Sequence, residues 1–350
     1  MKKSLLALAA MSAVAGAASA QSFVKIDGTV DLSAKYVKND APAGTSSKGR
    51  YSLSQDGINS SQLRFSGRED LGGGLFAGFN LNAGINADTG TINSSGKFFH
   101  RRATVSLGGG FGEIRLGRDY TPTFWNNTTF DAFATNGLGD VGHVIQLRTV
   151  TYTRADNTIG YFLPSNIGGI YGQFMAAASE GASTNPGRYV GARIGFASGP
   201  FDVAGAYATQ RLDTIGSQPS QKTLNVGGSY DFGFMKLLGL FDRDTLSYGA
   251  VDLTENRFAI SAVIPVGQGE IHVGGDRSKL NSSGVSNTVT QLQAGYVYNL
   301  SKRTALYTNV AQLSNGNLSK LTVAGDSAQT AAPSLGGKSK GVEFGVRHFF

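Results

Sequence analysis

From residue 24 to residue 35 the chain alternates strictly. Val24, Ile26, Val30 and Leu32 fall on one side of an extended strand, and Lys25, Asp27, Thr29, Asp31, Ser33 and Lys35 on the other. The same period of two returns with Phe201, Val203 and Tyr207 against Asp202 and Gln210, and with Leu224, Val226, Tyr230 and Phe232 against Asn225, Ser229 and Asp231. It closes the chain, where Val342, Phe344 and Val346 alternate with Glu343 and Arg347. Each such run predicts a strand with one apolar and one strongly polar face. One strand of this kind suits a soluble sandwich and a membrane barrel equally, so the number of strands and their connections carry the distinction.

Seven connections are short and rich in glycine or turn residues, at 70–74, 108–112, 165–169, 198–200, 232–234, 267–269 and 299–303. Eight longer polar segments lie between them, at 36–60, 86–100, 117–148, 179–188, 212–223, 243–255, 277–288 and 313–341. Seven turns and eight loops make fifteen connections and therefore sixteen strands, with both termini on the short-turn side. An even strand count with short turns at one end and long loops at the other is the signature of an outer-membrane barrel. The expected fold is thus all-β: a transmembrane antiparallel β-barrel of about 16 strands, forming one domain over 21–350. Closure pairs every backbone group and leaves no edge facing lipid. A barrel of this size leaves a water-filled lumen that side chains alone cannot fill.

The N-terminus carries an export signal. Lys2 and Lys3 precede an apolar stretch from Leu5 to Ala18, and Ala18-Ser19-Ala20 is a small-residue cleavage pattern, so residues 1–20 read as a signal peptide. Its removal takes two of the 31 Lys and Arg residues, leaving 29 against 24 acidic residues, a net charge of +5. Beyond it, the best apolar runs, 175–178 and 237–241, fall far short of the ~18–20 residues of a membrane-spanning helix. Glycine is twice its usual ~7% frequency, at 49 of 350 residues, and has no three-residue period, which excludes collagen. With no cysteine, disulfide scaffolds, Cys-zinc sites and thiol catalysis are excluded.

Several segments together resemble the general porins of beta-proteobacteria. They are Arg68-Glu69-Asp70-Leu71-Gly72-Gly73-Gly74-Leu75, Val105-Ser106-Leu107 through Gly112, Arg115-Leu116-Gly117-Arg118-Asp119, Asn299-Leu300-Ser301-Lys302-Arg303-Thr304-Ala305-Leu306-Tyr307, and the closing Gly345-Val346-Arg347-His348-Phe349-Phe350. The resemblance covers essentially the whole mature chain. It implies a homotrimer of independent pores in the outer membrane and a third external loop folded inward. Segment 117–148, the longest of the polar segments and the bearer of Phe124, Trp125, Phe130 and Phe133, suits that loop; its aromatics suggest packing against a wall.

A narrow pore lined by opposed charges selects ions, and rings of Arg or Lys favour anions. Candidates for the basic side are Arg154, Arg101, Arg102, Arg64 and Arg68, with Asp131 and Asp140 on the loop as the acidic side. Alternation with Leu63 and Phe65 turns Gln62, Arg64 and Arg68 inward. The resemblance implies basic residues at the positions of Gln62, Arg101 and Arg154; Gln62 departs from it, and Arg64 is the nearest inward substitute. Parity counted from Val105 and Leu107 favours Arg102, whereas the motif favours Arg101, so both stand. Phe350 resembles the C-terminal aromatic read by the barrel-assembly machinery, and it also suits an interfacial belt with Tyr36, Tyr207, Tyr230, Tyr296 and Tyr298.

Other function classes find little footing. Four histidines, at 100, 143, 272 and 348, stand near no Gly-x-Ser-x-Gly element. Gly108–Gly112 joins two strands and opens no phosphate-binding helix. Asp242-x-Asp244 begins like a calcium loop, but Ser247 replaces its turn glycine and Leu253 its closing Glu. Basic residues are spread over the strands, which argues against nucleic acid, and no cofactor or metal is implied. The expected function is passive diffusion of ions and small hydrophilic solutes with a modest preference for anions, in contact with outer-membrane lipid and lipopolysaccharide. A substrate-specific porin of the same fold is the alternative; a soluble exported β-protein binding polyanions is the other.

Overall fold

The computed structural model describes residues 22–40, 49–94, 96–147, 152–178, 188–212, 219–324 and 333–350. The expected signal peptide lies outside the described residues, as does most of segment 179–188.

The first hairpins are built from β1 (Phe23–Asn39), β2 (Arg50–Gln55), β3 (Gln62–Gly72), β4 (Leu75–Asn86), β5 (Thr91–Ile92), β6 (Arg102–Gly109), β7 (Gly112–Tyr120) and β8 (Arg154–Phe162). The wall continues through β9 (Ile170–Ala177), β10 (Tyr189–Ser198), β11 (Phe201–Arg211), β12 (Ser220–Asp231) and β13 (Lys236–Tyr248). It ends with β14 (Val251–Val266), β15 (Gly269–Ser282), β16 (Val285–Asn299), β17 (Thr304–Ser314) and β18 (Lys338–Phe349). Every pairing is antiparallel, and β1 pairs with β18 from Thr29↔Phe349 to Asn39↔Ser339, closing the barrel. Both β2 and β3 pair with β1, as the two halves of one wall strand, while β5 pairs only with the end of β4. Counting β2 and β3 as one and leaving β5 aside gives sixteen wall strands. All seven short turns lie where the glycine and turn residues placed them.

Which face of each strand is accessible settles the kind of barrel. On β1, Asp27, Asp31, Ser33 and Lys35 are buried, whereas Val24 is 75% and Ile26 62% exposed. On β12, Asn225 is buried while Leu224, Val226 and Tyr230 are exposed; on β18, Glu343 is fully buried and Phe344 exposed. The apolar faces therefore look outward around the whole ring and the polar faces look into the lumen. A soluble sandwich has the opposite arrangement, and a contiguous apolar exterior of this extent belongs in lipid. Aromatic rings gather near the short-turn end, where Tyr230 lies 4.7 Å from Phe232 and Tyr296 lies 6.5 Å from Tyr298. At the loop end Tyr36 packs on Tyr51.

Two expected loops prove to be wall. Segments 243–255 and 277–288 are the tops of β13–β14 and β15–β16, which meet in two-residue turns at 249–250 and 283–284. Ser283 (φ +39°) and Gly284 (φ +85°) both take the left-handed conformation that a tight hairpin of matching twist requires. These strands run 13 to 16 residues, longer than the ~9–11 that span a membrane, so the wall stands above the lipid and is polar there. Segment 36–60 likewise contains β2, and the first residues of 117–148 belong to β7, which leaves 121–147 as the described part of that segment's loop.

That loop folds into the barrel. Its helix α1 (Pro122–Thr129) starts at Thr121, whose hydroxyl accepts from the Phe124 N–H at 3.3 Å, with Pro122 in the first turn where its missing N–H costs nothing. One-turn helices follow at Gly137–Gly139 and Val141–Val144. Phe130 and Val141 pack on Ala204 and Leu240 of the wall, and Ala132 and Phe133 on Leu238. Polar anchors add to these: the Ala132 N–H donates to Ser261 (3.1 Å), Leu138 N–H to Glu343 (3.2 Å), and Gln146 and Leu147 N–H to Glu255 (3.0 and 2.8 Å). The loop thus lies along the wall from β9 round to β18 and leaves the wall of β3, β4, β6, β7 and β8 facing open lumen.

Candidate pore constriction

The break between β2 and β3, at 56–61, forms an inward shelf. Asp31, fully buried on the lumen face of β1, accepts the N–H groups of Gly57 (3.3 Å), Ile58 (3.0 Å) and Asn59 (2.8 Å), and a hydrogen bond from Tyr307. Asp56 takes the left-handed conformation (φ +64°) and accepts from the Ser61 N–H at 2.6 Å; burial pushes its carboxyl up to about 6. The loop tip reaches this shelf, where Ser60 Oγ meets Asn136 Oδ1 at 3.0 Å. With the tip resting there, a cavity of about 430 Å³ lies between the shelf, the loop and the bare wall.

Arg101 and Arg154 line this cavity and converge on one residue. Each donates through Nη2 to the Tyr120 hydroxyl, at 3.0 and 2.9 Å, and the Arg154 guanidinium lies 4.4 Å from the Tyr120 ring centroid. Among the described residues neither has a carboxylate within salt-bridge distance. Arg102 and Arg64 also line the cavity, but each meets a carboxylate: Arg102 meets Asp119 at 3.2 Å, which Arg115 shares at 3.4 Å, and Arg64 meets Asp27 at 2.5 Å, which Lys25 shares at 3.0 Å. Arg101 and Arg102 can both reach the lumen because Arg101 precedes β6, outside the strand parity that places Arg102 inward. His100 beside them adds no charge at neutral pH, since burial and then the Arg154 and Arg101 guanidiniums push it down to about 4.

Arg68 does not line the cavity. It stacks on Phe76, 3.7 Å from guanidinium to ring, near the short-turn end of β3. Asp131 is buried behind the lumen surface, where it accepts the Phe133 and Thr135 N–H groups at 2.9 and 2.8 Å and closes its own turn. Burial pushes its carboxyl up to about 7. Asp140 does line the opening, with one carboxylate oxygen on the Gly142 N–H. Sequence reasoning missed Tyr120, the hub of the two free guanidiniums, and the shelf; the signal for Tyr120 was an aromatic residue at the lumen end of a strand, immediately before a helix-opening Thr-Pro.

A closed barrel, lipid-facing outside and narrowed by its own loop, describes an architecture, and comparison with known proteins supplies the family. The model of the Gram-negative porin family matches residues 7–318. The chain is a Gram-negative porin. Outer membrane porin protein 32 of Delftia acidovorans is 39% identical to it over 365 residues, covering all of both chains. The structure of the anion-selective porin from Comamonas acidovorans is 36% identical, with a TM-score of 0.83 over 94% of this chain and all of that one. OmpT of Vibrio cholerae in its trimer form, 11% identical with a TM-score of 0.67 over 94% of this chain and 99% of that one, shares the fold. This porin is accordingly a channel-forming protein of the outer membrane and not an enzyme, and its short turns face the periplasm.

Proposed function

We propose that this porin is a general diffusion channel with a modest preference for anions, set chiefly by Arg154 and Arg101. The observation that carries the reading is that these two guanidiniums line the cavity beside the inward loop without a carboxylate partner among the described residues, whereas Arg64 and Arg102 each meet one. The acidic side is reduced to Asp140, so the opening is net basic. The anion-selective relative from Comamonas acidovorans supports the same sign. The polar lumen suits passive movement of small hydrophilic solutes.

The assembly proposed is a homotrimer, in keeping with the trimer form of OmpT, embedded in lipid and lipopolysaccharide. Phe350 pairs with Gly28 through two backbone hydrogen bonds, of 3.2 and 3.1 Å, and so sits at the seam that closes the barrel. That position supports its reading as the residue presented to the barrel-assembly machinery. The test of the channel reading is the reversal potential of purified protein in a planar bilayer under a potassium chloride gradient. A chloride-favouring potential is expected; a potassium-favouring one overturns the assignment of Arg101 and Arg154 and moves the weight to Asp140.

A further inference from the structure

Helix α1 is turned the wrong way round for a helix standing in water. It presses Pro122, Thr123, Asn126 and Asn127 against the wall, Asn126 and Asn127 being fully buried, while Phe124 and Trp125 line the lumen cavity. An amphipathic helix in an aqueous lumen ordinarily hides its aromatic residues. Asn126 shows why this one does not: its amide donates to the Ala204 carbonyl (3.2 Å) and to Asn225 (3.0 Å), so hydrogen bonds take the wall side. What is left facing the pore includes Trp125, the single tryptophan of the chain.

These rings stand beside the free guanidiniums. Tyr120, whose hydroxyl accepts from Arg101 and Arg154, stacks on Phe124 with centroids 5.6 Å apart at 13°, and lies 5.5 Å from Trp125. The indole N–H of Trp125 has no hydrogen-bond partner among the described residues. One phenol therefore joins two cations to an aromatic face within the lumen cavity. A compact inorganic anion uses only the cations. A flat ring bearing a carboxylate uses both halves, its oxygens on the guanidiniums and its ring on the aromatic face.

We propose that the constriction holds a weak subsite for planar aromatic carboxylates, with Arg101 and Arg154 taking the carboxylate and Trp125 and Phe124 the ring. This deepens the anion-channel reading and rests on it, but its test is separate. Chloride current through single trimers is measured with added benzoate, cyclohexanecarboxylate or acetate. Benzoate is expected to block at concentrations about threefold to tenfold below those of cyclohexanecarboxylate, which matches it in charge and size but lacks a flat π-face. Trp125→Leu is expected to erase that difference. Equal block by the two ring acids, or a difference that survives Trp125→Leu, overturns the subsite.

The wild-type protein provides a second reading that needs no variant. Its lone tryptophan reports from the site itself, and benzoate is expected to change its emission saturably whereas cyclohexanecarboxylate does so only at higher concentration. Identical or non-saturating responses overturn the proposal. A potassium-favouring reversal potential sinks the anion preference on its own, and a chloride-favouring one without these benzoate effects sinks only the subsite.

Discussion

Replacing Arg154 by Gln removes a charge that no carboxylate offsets, so its effect on ion choice can be worked out directly. An ion passing about 6 Å from a unit charge in lumen water, at a dielectric constant of about 80, feels about 0.7 kcal/mol. Screening over a Debye length of ~10 Å at 0.1 M salt reduces this to roughly 0.4 kcal/mol. Because the guanidinium attracts chloride and repels potassium equally, the permeability ratio changes by twice that energy, about fourfold to tenfold. Arg154→Gln should lower the chloride-to-potassium ratio by that factor while trimers still conduct, and Arg101→Gln should act in the same direction. The double change Arg64→Gln/Asp27→Asn deletes a neutral pair and should leave the reversal potential where it was. Reversal potentials of the four proteins in one salt gradient decide the matter. A ratio unchanged in Arg154→Gln, or shifted as far by the neutral-pair change, would falsify the reasoning that only uncompensated guanidiniums count.

Two further outcomes concern the loop. Glu255→Ala removes the acceptor of the Gln146 and Leu147 N–H groups, leaving buried donors unsatisfied at a cost of about 1–3 kcal/mol apiece, and single-channel records should show larger, noisier conductance; quiet wild-type currents would show that the loop is held elsewhere. Burial raises Asp131 from 3.8 to about 7, so the folded loop binds its proton more tightly than the released loop does. Its contribution to docking is full below pH 3.8 and is lost as pH rises towards 7. Conductance fluctuations should therefore increase across that interval and level off above it. Asp131→Asn, which does not titrate and keeps an acceptor oxygen for one of the two N–H donors, should flatten the dependence; a profile that Asp131→Asn leaves unchanged assigns it to another group.

The barrel was largely legible because its two local signals are physical necessities: period two from the pleat, and glycine where a tight turn needs positive φ. The loop-end strands were misread because polar composition reports contact with water and not the lack of a hydrogen-bonded partner. Asp242–Tyr248 and Val251–Arg257 are polar on a wall that has risen above the lipid. The candidate arginines were found, but their pairing was not. Nothing near Arg64 in sequence announces that Asp27 sits across the ladder from it, and the register Asp27↔Arg64 is a property of two strands. Asp131 shows the same limit from the other side, since a carboxylate that caps its own turn looks like a free one until the backbone is folded.

The loop tip's attachment to Glu343 also bears on how the channel is made. Leu138 and Glu343 are 205 positions apart, and the acceptor belongs to the last strand of the chain. Gln291 of β16, which donates to the Leu138 and Asp140 carbonyls at 3.4 and 3.3 Å, is nearly as distant. Contacts of such high order form late, after the intervening chain has been gathered in. The opening therefore takes its final width only when β18 arrives and the seam with β1 shuts. A half-assembled wall carries a loose loop and no defined bore, so the act that seals the protein against lipid is also the act that calibrates its passage for solutes.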